Sequence, residues 1–274
     1  MSPLPHQAPW ATRSVRAIIA LLAMLLALTA FAHPEDEFCT PGEDSLDPEL
    51  CQMLAELDAK DGAVDQSDLR PILDEEGNER GFWSTSTLYV WIGINHILPG
   101  GLDHILFVLA IFLASTSLRA LVIQVSAFTL AHTVTLAMAA SGVITPSPAV
   151  VEPLIALTIG FVAIENVLFK EMTKWRPVVV LGFGLIHGMG FAGFFGELGL
   201  PPGQFWSALI GFNVGVEVGQ LAVIAAAAVL AWGIKRPLPE NERARQYRRF
   251  VVVPGSLLIG VVGLWWTFER IFLG

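Results

Sequence analysis

The stretch HILPGGLDHILFVLAIFL, from His96 to Leu113, decides how the chain is interpreted. It is part of a run long enough to cross a bilayer, yet ionisable side chains and a Pro-Gly-Gly break lie inside it. Broken backbone at membrane depth is tolerated only where it is buried in protein or lines a cavity. The pattern therefore predicts a transmembrane span over Leu88–Leu113 that is interrupted at Pro99–Gly101 and lies within a helical bundle.

Five further apolar runs follow this stretch, and each is long enough to span a membrane. Of the 274 residues, 54% are hydrophobic and 15% are charged, whereas an ordinary soluble domain has roughly 25% charged residues. We therefore predict an all-α, polytopic membrane domain over residues 87–274, with six transmembrane helices including the broken one. The five later runs are Leu118–Ala140, Val150–Phe169, Val178–Phe195, Phe205–Ile234 and Phe250–Phe272.

The basic residues are unevenly distributed between the predicted loops. Ten Lys and Arg residues, from Arg119 to Arg249, fall in alternate loops, whereas the intervening loops Gly142–Ala149 and Gly196–Gln204 have none. Because positive charge marks cytoplasmic loops, this pattern predicts that both mature termini lie outside the cytoplasm.

The net charge of −9 leaves no broad basic surface for nucleic acid, so the expected partner is the lipid bilayer and not nucleic acid.

The first 32 residues have the pattern of a secretory signal peptide. Arg13 and Arg16 precede the apolar run Ala17–Leu28, and an Ala-Phe-Ala triplet at residues 30–32 supplies the small residues that signal peptidase accepts. The run is shorter than the roughly 20 residues of a membrane span. We predict cleavage after this triplet, so that the mature chain begins at His33; an uncleaved anchor is the alternative.

An acidic segment, residues 33–86, follows the signal peptide and contains 16 acidic and 3 basic residues. Its two cysteines, Cys39 and Cys51, predict a disulfide because an oxidising compartment favours pairing; a thiolate metal site is the alternative.

The loop Asp58–Asp68 is similar to a calcium-binding EF-hand loop that has lost one residue. A solvated acidic loop that attracts cations only by its field is the alternative to calcium. The amine and imidazole of His33 offer a two-point site for copper or nickel.

Ionisable side chains lie near the middle of four predicted spans, where each costs on the order of 2.5–3.5 kcal/mol. Imidazole and carboxylate ligands suit nickel, zinc and copper, and a site without thiolate releases its ion more readily. A layer of such groups therefore predicts a site for a divalent metal ion. The residues of this layer are Asp103, His104, His132, His187 and Glu217.

Polar neighbours at helical spacing extend this layer, and they leave other interpretations open. Hydrogen bonds between helices that only hold the bundle together are one alternative. An intramembrane zinc-dependent hydrolase and a non-transporting accessory subunit are two others. Glu152 and Glu165, near the ends of the third span, are secondary candidates. The extended stripes are Thr129, His132 and Thr135 in the second span, and Asn213, Glu217 and Gln220 in the fifth.

Five blocks that occur in order within residues 83–231 resemble the HupE/UreJ family of membrane proteins. The resemblance implies a permease for nickel or cobalt in the bacterial inner membrane, with the ion as cargo and no prosthetic group. In the founding nickel permeases of the family the corresponding block resembles HPxxGxDH. Here the proline comes three residues after His96 and one extra residue precedes Asp103, and this departure is similar to the second branch of the family. The blocks are HILPGGLDHILF (His96–Phe107), FTLAHTVTL (Phe128–Leu136), VEPLIAL (Val151–Leu157), FGLIHGMGFA (Phe183–Ala192) and FNVGVEVGQ (Phe212–Gln220).

The resemblance also implies which residues bind the ion. The family's metal positions correspond to His96, Asp103, His104, His132 and His187 in this sequence. Glu217 is added by the depth argument alone, because it lies in the same layer of the bundle as the others.

Overall fold

The computed structural model describes residues 81–115, 117–169, 175–191 and 203–273. Within these ranges helix is the only regular secondary structure. The predicted signal peptide and acidic segment, with Cys39, Cys51 and the loop Asp58–Asp68, lie outside the described residues.

Eight α-helices and one short π-helix make up the described part of the chain. Their bounds are α1 Phe82–Ile97, α2 Leu102–Ala114, α3 Leu118–Ala140, α4 Pro148–Leu168, α5 Arg176–Gly190, α6 Phe205–Lys235, α7 Arg243–Tyr247, the π-helix Arg248–Val252 and α8 Val253–Phe272.

Four helical stretches are long and apolar enough to cross a membrane: α3, α4, α6, and the continuous stretch Arg243–Phe272 that contains α7, the π-helix and α8. The pair α1 and α2 passes the same test only jointly, with a bend of 71° between its halves. The helix α5 is apolar but has 15 residues. Four or five spans are thus supported by length and composition in the described ranges, against the six that the sequence predicts.

The predicted interruption of the first span is present, since α1 ends at Ile97 and α2 begins at Leu102. Pro99 has no backbone N–H to continue the helix. A Cβ atom at Gly101 would lie 2.2 Å from the carbonyl oxygen of His96, so only glycine lets the chain turn this closely. The turn brings the end of α1 next to the start of α2.

Small residues allow three helix pairs to approach closely. The helices α1 and α6 run parallel, because Gly211 lies against Ser86 and Gly219 lies against Ile97. The helices α3 and α5 also run parallel and touch where Gly188 meets the backbone of α3.

The helices α4 and α8 pack in opposite directions. Gly263 lies against the backbone of Gly160, and Gly260 faces Ala163 further along α4. The three closely packed pairs place α1, α3, α5 and α6 around the polar residues described next.

Candidate metal centre

Three histidines from three helices come together in the interior of the bundle. His96 lies in the last turn of α1, His104 in the first turn of α2 and His132 in the second half of α3. One ring nitrogen of each lies within 4.8 Å of those of the other two. We call these three residues the histidine trio. The break between α1 and α2 makes it possible, because it brings His96 and His104 side by side.

The ring geometry of the trio is compact, and a fourth histidine adjoins it. The ring centroids of His96 and His104 are 4.9 Å apart, and those of His104 and His132 are 5.7 Å apart. His187, near the end of α5, lies 5.1 Å from His104 by the same measure. It stands beside the trio without joining the group of mutually close nitrogens. His104, His132 and His187 are 6%, 0% and 1% exposed.

Each of the four imidazoles has a buried ring nitrogen without a hydrogen-bond partner among the described residues. For His96, His104 and His132 this atom is Nε2, and for His187 it is Nδ1. Buried polar atoms are nearly always hydrogen-bonded, so four such nitrogens at one place require an explanation. One explanation that fits the chemistry of imidazole is a bound cation that accepts the lone pairs of these nitrogens.

Asn213 on α6 fixes the tautomer of His132. The Nδ2 atom of Asn213 donates to the carbonyl oxygen of Leu209 at 2.8 Å, which orients the amide. Its Oδ1 atom therefore faces Nδ1 of His132 at 3.1 Å. Because Oδ1 can only accept, Nδ1 must carry the proton, and Nε2 is left as a lone-pair donor. Such outer hydrogen bonds typically orient metal-binding histidines.

Thr158 on α4 does the same for His187. Its hydroxyl donates to the carbonyl oxygen of Ile155 at 2.7 Å, and its oxygen lies 2.9 Å from Nε2 of His187. A hydroxyl has one hydrogen, so with that hydrogen on Ile155 the Nε2 atom is the donor. The unpartnered Nδ1 atom of His187 is then a lone-pair donor as well.

Aromatic rings surround the four imidazoles. The Phe191 ring centroid lies 4.1 Å from that of His96, and the rings of Phe107 and Phe128 lie 5.1 Å and 5.0 Å from that of His187. These rings exclude water, and in a medium of low dielectric constant an unpaired nitrogen or a bound ion interacts more strongly with its neighbours.

The carboxylate of Asp103 points away from the trio. Arg270, near the end of α8, contacts its Oδ2 and Oδ1 atoms at 3.1 and 3.4 Å. Arg270 also donates to the carbonyl oxygen of Glu152 at 3.0 Å. Successive residues of a helix project about 100° apart, so Asp103 and its neighbour His104 face different directions. The predicted set of ligands is therefore not brought together as a whole.

Glu217 also lies outside the trio. It accepts a hydrogen bond of 2.6 Å from the Ser126 hydroxyl on α3, and one turn further along, Thr129 donates to Gln220 at 3.0 Å. The polar stripe of α6 therefore bonds to α3 along its length. Only its Asn213 contacts a histidine, so the interpretation as bundle-stabilising hydrogen bonds fits Glu217 and Gln220 in this structure.

The secondary candidates occupy other surroundings. Glu165 forms an ion pair of 3.6 Å with the buried Arg176, whose Nη2 also donates to Asn166 at 3.1 Å. Asn166 donates in turn to the carbonyl oxygen of Ala110 at 2.7 Å. The Glu152 side chain is exposed, and the backbone carbonyl of this residue accepts the hydrogen bond from Arg270.

Sequence reasoning missed Ser126, Thr158 and Arg270, whose side chains contact predicted residues; a signal in the sequence marks Thr158 and Arg270. Thr158 follows Val151 and Ile155 at helical spacing, which marks the buried face of α4. Arg270 is the one base after residue 87 outside the ten that mark the predicted inner loops. The helical spacing of Thr158 and the isolated position of Arg270 are visible in the sequence, but neither feature indicates which residue the side chain contacts.

Comparison with known proteins agrees with the resemblance of the five blocks. The family model described as HupE / UreJ protein matches residues 74–270, which is more than half of the chain. No curated protein and no solved structure matches it. Proteins of this family are generally nickel or cobalt permeases, and membership therefore supports a membrane-embedded metal transporter in general. On the extent of this match, the chain belongs to the HupE/UreJ family.

Proposed function

We propose that the protein carries a divalent transition-metal ion, nickel or cobalt, across the bacterial inner membrane through the histidine trio. The observation that carries the proposal is the set of three imidazoles, two of them buried and that of His96 partly buried, whose ring nitrogens lie within 4.8 Å of one another. Neutral imidazole is a good ligand for these borderline metals. The trio contains no thiolate, which favours an ion that leaves as readily as it enters.

Each nearby residue has a role in this proposal. His96, His104 and His132 bind the ion, and His187 supplies a further nitrogen from α5. Asn213 and Thr158 hold their histidines in the tautomer that leaves a lone pair free. That Asp103 and Glu217 also bind the ion stays a prediction, because their carboxylates contact Arg270 and Ser126.

The proposal includes six spans after a cleaved signal peptide, with both mature termini outside the cytoplasm. The packing directions support this topology: α1 and α6 run parallel, as do α3 and α5, and α4 opposes α8. Alternating spans require these relations, with α1 and α2 together as the first span and α5 as the fourth. Amino-terminal sequencing of the purified protein tests the cleavage, and a mature chain that begins at any residue other than His33 contradicts it.

Metal accumulation in cells tests the proposed transport. We expect the wild type to accumulate nickel or cobalt and His104→Ala and His132→Ala to accumulate no more than cells without the protein. Thr133→Ala is the matched control, because this neighbouring hydroxyl bonds only to the backbone of its own helix. Elemental analysis of the purified variants gives a second readout. Equal uptake by all four proteins, together with equal metal content, rejects the proposal.

A further inference from the structure

A cavity lies away from the histidine trio, where the link between α2 and α3 faces the carboxyl-terminal end of α6 and the short helix α7. Its volume is about 500 Å³. Apolar side chains form its walls, among them Phe112, Leu121 and Ala231. The basic side chains of Lys235 and Arg243 line it as well, with Arg236 at the same end of α6.

These three cations have no carboxylate partner in the described part of the chain. The Nζ atom of Lys235 lies 3.9 Å from the centre of the Tyr247 ring. Arg243 donates to the carbonyl oxygen of Leu238 at 3.4 Å, and its Nε atom is buried without a partner. The nearby Glu242 does not neutralise them, because it pairs with Arg245 at 2.9 Å.

The cavity lies where a membrane surface is expected. It adjoins the end of the apolar helix α6, and Trp232 in its lining is 64% exposed. Tryptophan is enriched at the level of the lipid headgroups. A basic pocket between membrane helices, at this level, suits an anionic headgroup.

We propose that this cavity binds an anionic phospholipid, with the phosphate near Lys235 and Arg243 and an acyl chain along the apolar wall. Free phosphate pairs with the cations but leaves the apolar wall uncovered. A zwitterionic lipid covers the wall but brings its own cation close to the basic side chains. An anionic lipid satisfies both parts of the lining. The proposal rests on the membrane location of α6 and does not depend on the transported metal.

Lipid retention by the full-length protein in detergent tests the site. The protein is mixed with equal amounts of phosphatidylglycerol and phosphatidylcholine, and native mass spectrometry counts the lipids that remain bound. We expect wild type to retain phosphatidylglycerol in preference to phosphatidylcholine. A basic residue near a membrane surface contributes about fivefold in affinity, so the double variant Lys235→Gln/Arg243→Gln should bind phosphatidylglycerol about 30-fold more weakly.

The double variant Arg248→Gln/Arg249→Gln is the matched control, because it removes the same charge from residues that do not line the cavity and leaves the pair between Arg245 and Glu242 intact. It should bind phosphatidylglycerol as wild type does, and so should Arg243→Lys, which keeps the charge. Equal losses in the two double variants overturn the proposal by indicating diffuse attraction. Equal retention of both lipids by wild type, or displacement of the lipid by millimolar inorganic phosphate, overturns it too.

Discussion

Substituting Gly188 by alanine tests how strictly the spacing of α3 and α5 controls the geometry of the proposed metal site. A Cβ atom at Gly188 would lie 2.2 Å from the carbonyl oxygen of His132 and 2.4 Å from Oγ1 of Thr135. Real Cβ contacts essentially never fall below 3.0 Å, so the two helices must separate by about 0.8 Å at this level. The separation stretches the 2.8 Å hydrogen bond from Thr135 to Leu185 and displaces His132 or the adjoining His187.

The size of this displacement sets the expected effect. Overpacking of this kind costs about 1–3 kcal/mol of stability. Metal sites tolerate distance errors of about 0.2 Å, so a shift several times larger should weaken nickel binding by roughly 10- to 100-fold. Equilibrium dialysis of nickel against the purified variant measures the affinity, and a thermal melt measures stability.

Gly182→Ala is the matched control, because it lies on the same helix and its added Cβ atom meets nothing within 4 Å. It should bind nickel as wild type does. A folded Gly188→Ala protein with wild-type affinity refutes the reasoning, and so does an equal loss in the control.

Three further substitutions probe other contacts of the site and the bundle. Asn213→Leu removes the acceptor that fixes the neighbouring imidazole, so dialysis should give a nickel affinity roughly 10- to 100-fold lower; unchanged affinity argues against this orienting role. Arg270→Gln leaves the half-buried Asp103 carboxylate unpaired and should cost about 1–3 kcal/mol in thermal unfolding, with Asp103→Asn restoring part of it; strictly additive effects contradict the pair. Gly215→Ala, whose Cβ atom would lie 2.1 Å from a carbonyl oxygen of α1, should lower the melting temperature, whereas the unhindered Gly233→Ala should not; equal melting temperatures contradict the close packing.

The rule that ionisable groups in apolar spans need partners singles out His104, His132 and His187 in the sequence, and the structure places the rings of His132 and His187 next to that of His104. His104, His132 and His187 lie within apolar runs, and the proline and glycines between His96 and Asp103 predicted the break that brings two half-helices together. These features are local, so the sequence carries them directly. The helix α5 ends at Gly190, and residues 192–195 of the predicted span lie outside the described residues.

Depth in the membrane does not determine the direction in which a side chain points. Asp103 lies next to His104 in the chain, yet it faces Arg270, which is 167 residues away. Glu217 bonds to Ser126, a partner set by the register of α3 against α6. Only the packing of distant helices decides these contacts, which explains why the sequence alone does not reveal them.

The broken span has a consequence for the order in which the centre is completed. All three imidazoles of the trio lie between residues 96 and 132, within the first three described helices, whereas Asn213 follows His132 by 81 residues. A chain is synthesised from its amino terminus. The newly made protein therefore contains the histidine trio before it contains the acceptor for Nδ1 of His132, and the orientation of that ring is completed only when α6 arrives.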